Sequence, residues 1–89
     1  MSRDLSWWND VVNTCQEIVR IPSPSCSEGD LANFLEAKMK ESYYDDVWKD
    51  KTGNLIGKFE GKEKLPSIGF SAHLDHVSPG NKSDWEFPP

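Results

Sequence analysis

Residues 67–72, Ser-Ile-Gly-Phe-Ser-Ala, carry no charge and alternate small with apolar side chains. Such a run reads as a β-strand covered on both faces, the pattern of a strand inside an α/β sheet. It leads directly into His73-Leu74-Asp75. An imidazole and a carboxylate therefore stand at a strand end, which is where open α/β sheets place their ligands and active sites.

The rest of the chain supplies layers for such a sheet. Leu5, Trp8, Val12, Cys15 and Val19 recur at spacings of three and four, widened by Val11 and Ile18. This predicts an amphipathic helix over residues 4–20, with Cys15 as a buried free thiol and Trp7 and Trp8 as packing residues. Pro22 and Pro24 end it, because each disfavours helix at the residue before it. Ser27 with Asp30 three positions on resembles a capping box. Leu31, Phe34, Leu35 and Met39 then give a second helix an apolar face, to about Ser42. Residues 46–49 and 55–60 read as a hairpin around the turn chemistry of Lys51-Thr52-Gly53-Asn54. The acidic run Asp45, Asp46 and Asp50 is read as a solvated turn rather than a calcium site. From Val77 onward the pattern is that of a loop.

Two helices, a hairpin and one strand do not close a core. A sheet face and an edge would remain open, so the expected architecture is α/β, a partial domain cut before its sheet is complete. At 89 residues the chain allows one small domain or one piece of a domain. Ten basic residues against fifteen acidic ones, a net charge of −5, argue against nucleic acid as a partner. No window approaches the ~20 apolar residues of a membrane span and no secretory leader is visible, which points to the cytoplasm. Two cysteines, Cys15 and Cys26, are too few for a disulfide scaffold and lack metal-binding spacing.

His73 and Asp75 are two residues apart and in extended backbone project to one side. A metal-binding histidine usually donates its second ring N–H to a carboxylate or carbonyl, which fixes its tautomer. His-x-Asp thus offers a ligand and its partner, a pairing that chance also produces often. His76 faces the other way in such a strand.

Read together, Ile21-Pro22-Ser23, Ser27-Glu28-Gly29-Asp30-Leu31, Thr52-Gly53-Asn54-Leu55-Ile56-Gly57 and the run from Gly69 to Gly80, followed by Trp85 and Pro88, resemble one family. It is the family of two-zinc exopeptidases and amidohydrolases that includes acetylornithine deacetylase, succinyl-diaminopimelate desuccinylase, carboxypeptidase G and aminoacylases. The resemblance runs through nearly all of the chain. Its most specific part is Gly-x-x-x-His-Leu-Asp-x-Val-x-Pro-Gly with the trailing Trp.

The resemblance implies that His73 is a zinc ligand and that Asp75 is the catalytic acidic residue beside it, which orients the ligand shell. His76 stands where many relatives carry Thr or Val, and no role is carried over to it. The implied fold is the N-terminal portion, residues 1–89, of a zinc-peptidase-like α/β/α catalytic domain. The lid or dimerisation domain of the family is absent from this sequence, as are its bridging carboxylate, Glu-Glu pair and distant His. The complete protein would cleave an amide bond of a small peptide or an N-acyl amino acid, with water activated by two zinc ions; cobalt or manganese could replace zinc. A homodimer is compatible with it. The segment alone would be inactive. The competing reading is a small non-catalytic α/β binding or interaction module.

Overall fold

The computed structural model describes residues 5–89; the expected helix start at Asp4 lies outside the described residues. The first helix, α1, spans Ser6–Arg20. It stops where Ile21 turns extended (φ −87°, ψ 115°) ahead of Pro22. The second helix, α2, spans Gly29–Glu41, with Asp30 in its first turn and Lys38 and Lys40 in its last, as the helix dipole favours. Its N-cap residue is Glu28, with no side-chain cap bond. The expected capping box at Ser27 does not form, and the Glu28 carboxylate instead accepts from the Cys26 amide (2.8 Å). Ser42 closes the other end, its amide donating to the Met39 carbonyl (3.1 Å) and its hydroxyl to that of Lys38 (2.9 Å).

Strands β1 (Asp46–Lys49) and β2 (Leu55–Lys58) pair antiparallel, with Val47 opposite Gly57 and Trp48 opposite Ile56. The second strand ends two residues earlier than expected, and the amide of Glu60 turns to the Asp45 carboxylate (2.5 Å). The turn is organised by Asp50. Its carboxylate accepts from the Thr52 amide and hydroxyl and from the Asn54 amide and side chain, each at 2.9 Å. Gly53 sits at φ 93°, a conformation that costs glycine little. Thr52-Gly53-Asn54 is therefore turn chemistry, and Asp50 belongs to that turn.

α2 lies against the hairpin and supplies the core, in which Leu31 (1% exposed) and Ala32 (4%) are buried. Gly57 is required at this contact. A Cβ there would stand 2.3 Å from Met39 Cε and 2.6 Å from Tyr44 Cε1. Tyr44 stacks on Phe59, with ring centroids 4.2 Å apart.

Three expectations fail on burial. Helix α1 buries none of its residues; Cys15 is an exposed thiol, and Trp7 and Trp8 are more than half exposed, touching each other edge to face. Residues 67–72 form no strand. They have no regular secondary structure, and Ile68 and Phe70 are 82% and 97% exposed. The physical reason is common to all three. An apolar helix stripe or strand pattern states what the residues tolerate, while burial requires a partner surface. Among the described residues the sheet has two strands only.

Magnitudes agree. The accessible surface is 8193 Å², whereas a closed monomer of 10.1 kDa would expose about 5,300 Å². The radius of gyration is 16.2 Å, against about 12 Å for a compact domain of this length. This is an open α/β arrangement of two helices and a hairpin.

Candidate functional site

The residues around His73 are held by a distant part of the chain. Residues 21–25, between the helices, form a strap with Pro22 and Pro24 fixing its backbone. The amide of Ser27 closes a turn onto the Pro24 carbonyl (2.9 Å), and Cys26 takes a positive φ of 69°. Facing it lie residues 74–76. The Ser23 hydroxyl donates to the Leu74 carbonyl (2.9 Å), and the His76 amide donates to the Ser23 carbonyl (2.8 Å). Ser23 is 1% exposed, the most buried polar residue described. His76 Nε2 meets the Ile21 carbonyl at 2.9 Å; a carbonyl only accepts, so this nitrogen is the donor. His76 is thereby a tether of the site segment, a role the sequence left unassigned.

His73 and Asp75 come together as expected. Nδ1 of His73 lies 2.8 Å from the Asp75 carbonyl and 3.1 Å from Asp75 Oδ1. Both partners accept, so Nδ1 carries the proton and the lone pair of the neutral ring is on Nε2. The His73 side chain is 84% exposed, which leaves Nε2 open to a ligand. The other carboxylate oxygen, Oδ2, accepts from the Ser25 hydroxyl at 2.5 Å. That bond is the main reason the Asp75 carboxyl sits below its usual range; desolvation opposes it and the hydrogen bond from His73 assists. Pro24, Ser25, His73, Asp75, His76 and Ser78 line one open concavity.

The donor set suits one metal ligand. An imidazole with Nδ1 held by a carbonyl and a carboxylate and Nε2 free is the form zinc-bound histidines take. Among the described residues, no three His, Cys, Asp or Glu side chains converge to hold an ion, and zinc needs about four ligands. This chain's share of a metal position would be His73, with Asp75 behind it.

The trailing loop is held by contacts among its own residues. A 3₁₀ turn at Lys82–Asp84 is capped by Asn81, and Trp85 Nε1 donates to the Pro79 carbonyl (2.9 Å). Trp85 is thus a loop anchor. Sequence reasoning missed Ser23 and Ser25 as site residues. Ser23 entered only within the Ile21-Pro22-Ser23 portion of the family resemblance, with no role attached, and nothing in the sequence tells which residues lie across the gap. No helix among the described residues is long and apolar enough to cross a membrane.

No family model and no solved structure matches the chain. Curated proteins do. An uncharacterised Escherichia coli protein, YgeY, is 31% identical over 80 residues, covering 90% of this chain and 19% of that protein. The succinyl-diaminopimelate desuccinylase of Dinoroseobacter shibae is 32% identical over 82 residues, 90% of this chain and 22% of the enzyme. A Pyrobaculum aerophilum protein provisionally named LysW-lysine/LysW-ornithine hydrolase is 40% identical over 69 residues, 76% of this chain and 19% of that protein. The chain spans about a fifth of the length of these relatives. Homology links this chain to the M20 peptidase/amidohydrolase superfamily, at the level of the superfamily and not of one member.

Proposed function

We propose that this chain is the N-terminal portion of the catalytic domain of a metal-dependent hydrolase that cleaves amide bonds in small peptides or N-acyl amino acids. The observation that carries the reading is the His73–Asp75 pair. Its Nδ1 is held by the aspartate and its Nε2 is exposed, in a chain that aligns over nine-tenths of its length with a desuccinylase. His73 would be one zinc ligand through Nε2. Asp75 would keep the ring oriented and its Nδ1 protonated, which raises the basicity of the coordinating nitrogen. Zinc, when bound, supplies Lewis acidity toward an amide carbonyl and toward water; cobalt or manganese would serve the same chemistry. The remaining ligands and the general base would come from residues outside this sequence. The cytoplasm and a homodimer fit this reading.

The excess of exposed surface supports a portion of a larger domain over a self-sufficient binding module. About 2,900 Å² beyond the expectation for a closed monomer includes the apolar stripe of α1 and the side chains of Ile68 and Phe70. On this reading the 89-residue chain hydrolyses nothing and holds zinc weakly. The test is an assay of the complete protein on N-acyl amino acids and dipeptides, before and after chelation and zinc restoration. Metal-dependent release of the amine is expected. Absence of amide cleavage on every substrate, or cleavage indifferent to chelation, overturns the proposal, and so does stoichiometric sub-micromolar zinc binding by the isolated 89-residue chain.

A further inference from the structure

The strap at residues 21–25 engages the site segment with two different kinds of bond. Ser23 holds backbone: its hydroxyl and carbonyl take the Leu74 carbonyl and the His76 amide. Ser25 holds a side chain, donating to Asp75 Oδ2 across a separation of 50 residues. The two oxygens of Asp75 are therefore divided, Oδ1 toward His73 and Oδ2 on Ser25. The terminal torsion of an aspartate is broad and by itself selects no one orientation. A carboxylate held at one oxygen only could swing away from the imidazole. The hydroxyl is anchored in turn, because Pro24 precedes it and the Ser27–Pro24 turn follows.

We propose that Ser25 is a positioning residue whose hydroxyl fixes the Asp75 carboxylate so that the opposite oxygen meets His73 Nδ1. The proposal deepens the reading of His73 as a metal ligand and rests on it for its functional consequence. Its geometric content stands apart. Ser25→Ala should release the carboxylate alone, whereas Ser23→Ala should disturb the whole 74–76 backbone.

The experiment has two arms. In the 89-residue chain, NMR couplings to Asp75 Cγ report its side-chain rotamer, and the His73 ring ¹⁵N shifts report the tautomer. One rotamer and protonated Nδ1 are expected in the unaltered chain. Ser25→Ala should average the couplings while the Asp75 carbonyl keeps Nδ1 protonated, and Ser25→Thr, which keeps the hydroxyl, should restore the single rotamer. In the complete protein, Ser25→Ala should lower kcat by up to about 10-fold, less than the loss of a ligand's direct partner, with KM unchanged and Thr restoring the rate. Couplings already averaged in the unaltered chain overturn the proposal, as do couplings unmoved by Ser25→Ala or an unchanged kcat. A complete protein that cleaves no amide counts against the functional reading alone, and the Asp75 couplings then decide the role of Ser25.

Discussion

Asp50 and Asp75 are both surface aspartates whose carboxyls are held below their ordinary range by hydrogen bonds, yet they belong to regions built in opposite ways. Asp50 is saturated by neighbours within four residues, Thr52 and Asn54, and its work is finished inside the hairpin turn. Asp75 receives one donor from the strap 50 residues away and spends its other oxygen on an imidazole whose far nitrogen faces solvent. A carboxylate closed upon by local donors stabilises a turn. On the proposed reading, one that joins a distant strap to an open imidazole prepares that imidazole to bind a metal.

Perturbing each side of this comparison should give effects of different kinds. The largest is expected from His73→Ala in the complete protein. It should empty one metal position and remove most amide cleavage with helix content near wild type, as read by metal analysis, rate and circular dichroism. Asp75→Asn keeps the size but weakens the hold on Nδ1, and metal affinity or rate should fall by about 10–100-fold. Full activity in both variants would break the distinction between the two aspartates.

Gly57→Ala tests the packed side of the molecule. The new methyl must displace Met39 and Tyr44, and overpacking of this kind costs about 1–3 kcal/mol. A lowered denaturation midpoint of the complete protein would show it; an unchanged one would mean that Met39 yields freely.

The smallest effect on activity should come from Asp50→Asn, which should speed amide exchange at Thr52 and Asn54, the amides its carboxylate accepts from, and leave turnover unchanged. Its pH dependence has a defined sign. The folded pKa is lowered from 3.8 to about 2, so the stability Asp50 contributes is present above 3.8 and lost as pH falls toward 2. Protection of the Thr52 and Asn54 amides, taken relative to the intrinsic exchange rate at each pH, should fall as pH drops across that window in the unaltered chain and stay flat in the variant.

Much of this was legible along the chain. The spacing of Leu31, Phe34, Leu35 and Met39 located α2, Pro22 and Pro24 marked the end of α1, and Thr52-Gly53-Asn54 marked the turn, because these signals depend on backbone torsions and local hydrogen bonds. The apolar stripe of α1 and the pattern of residues 67–72 misled about burial. Cys15 and Phe70 are exposed because no partner surface meets them, and a periodicity cannot report whether its partner is present.

The sequence by itself determined the helices, the hairpin and the candidacy of His73 and Asp75, since each is fixed by residue type and short-range spacing. Only the tertiary structure decided which oxygen of Asp75 meets which donor, that His76 is a tether, and that Ser23 and Ser25 reach across to the site. Those assignments depend on chain segments 50 residues apart being brought within hydrogen-bonding distance, and no local rule encodes that meeting.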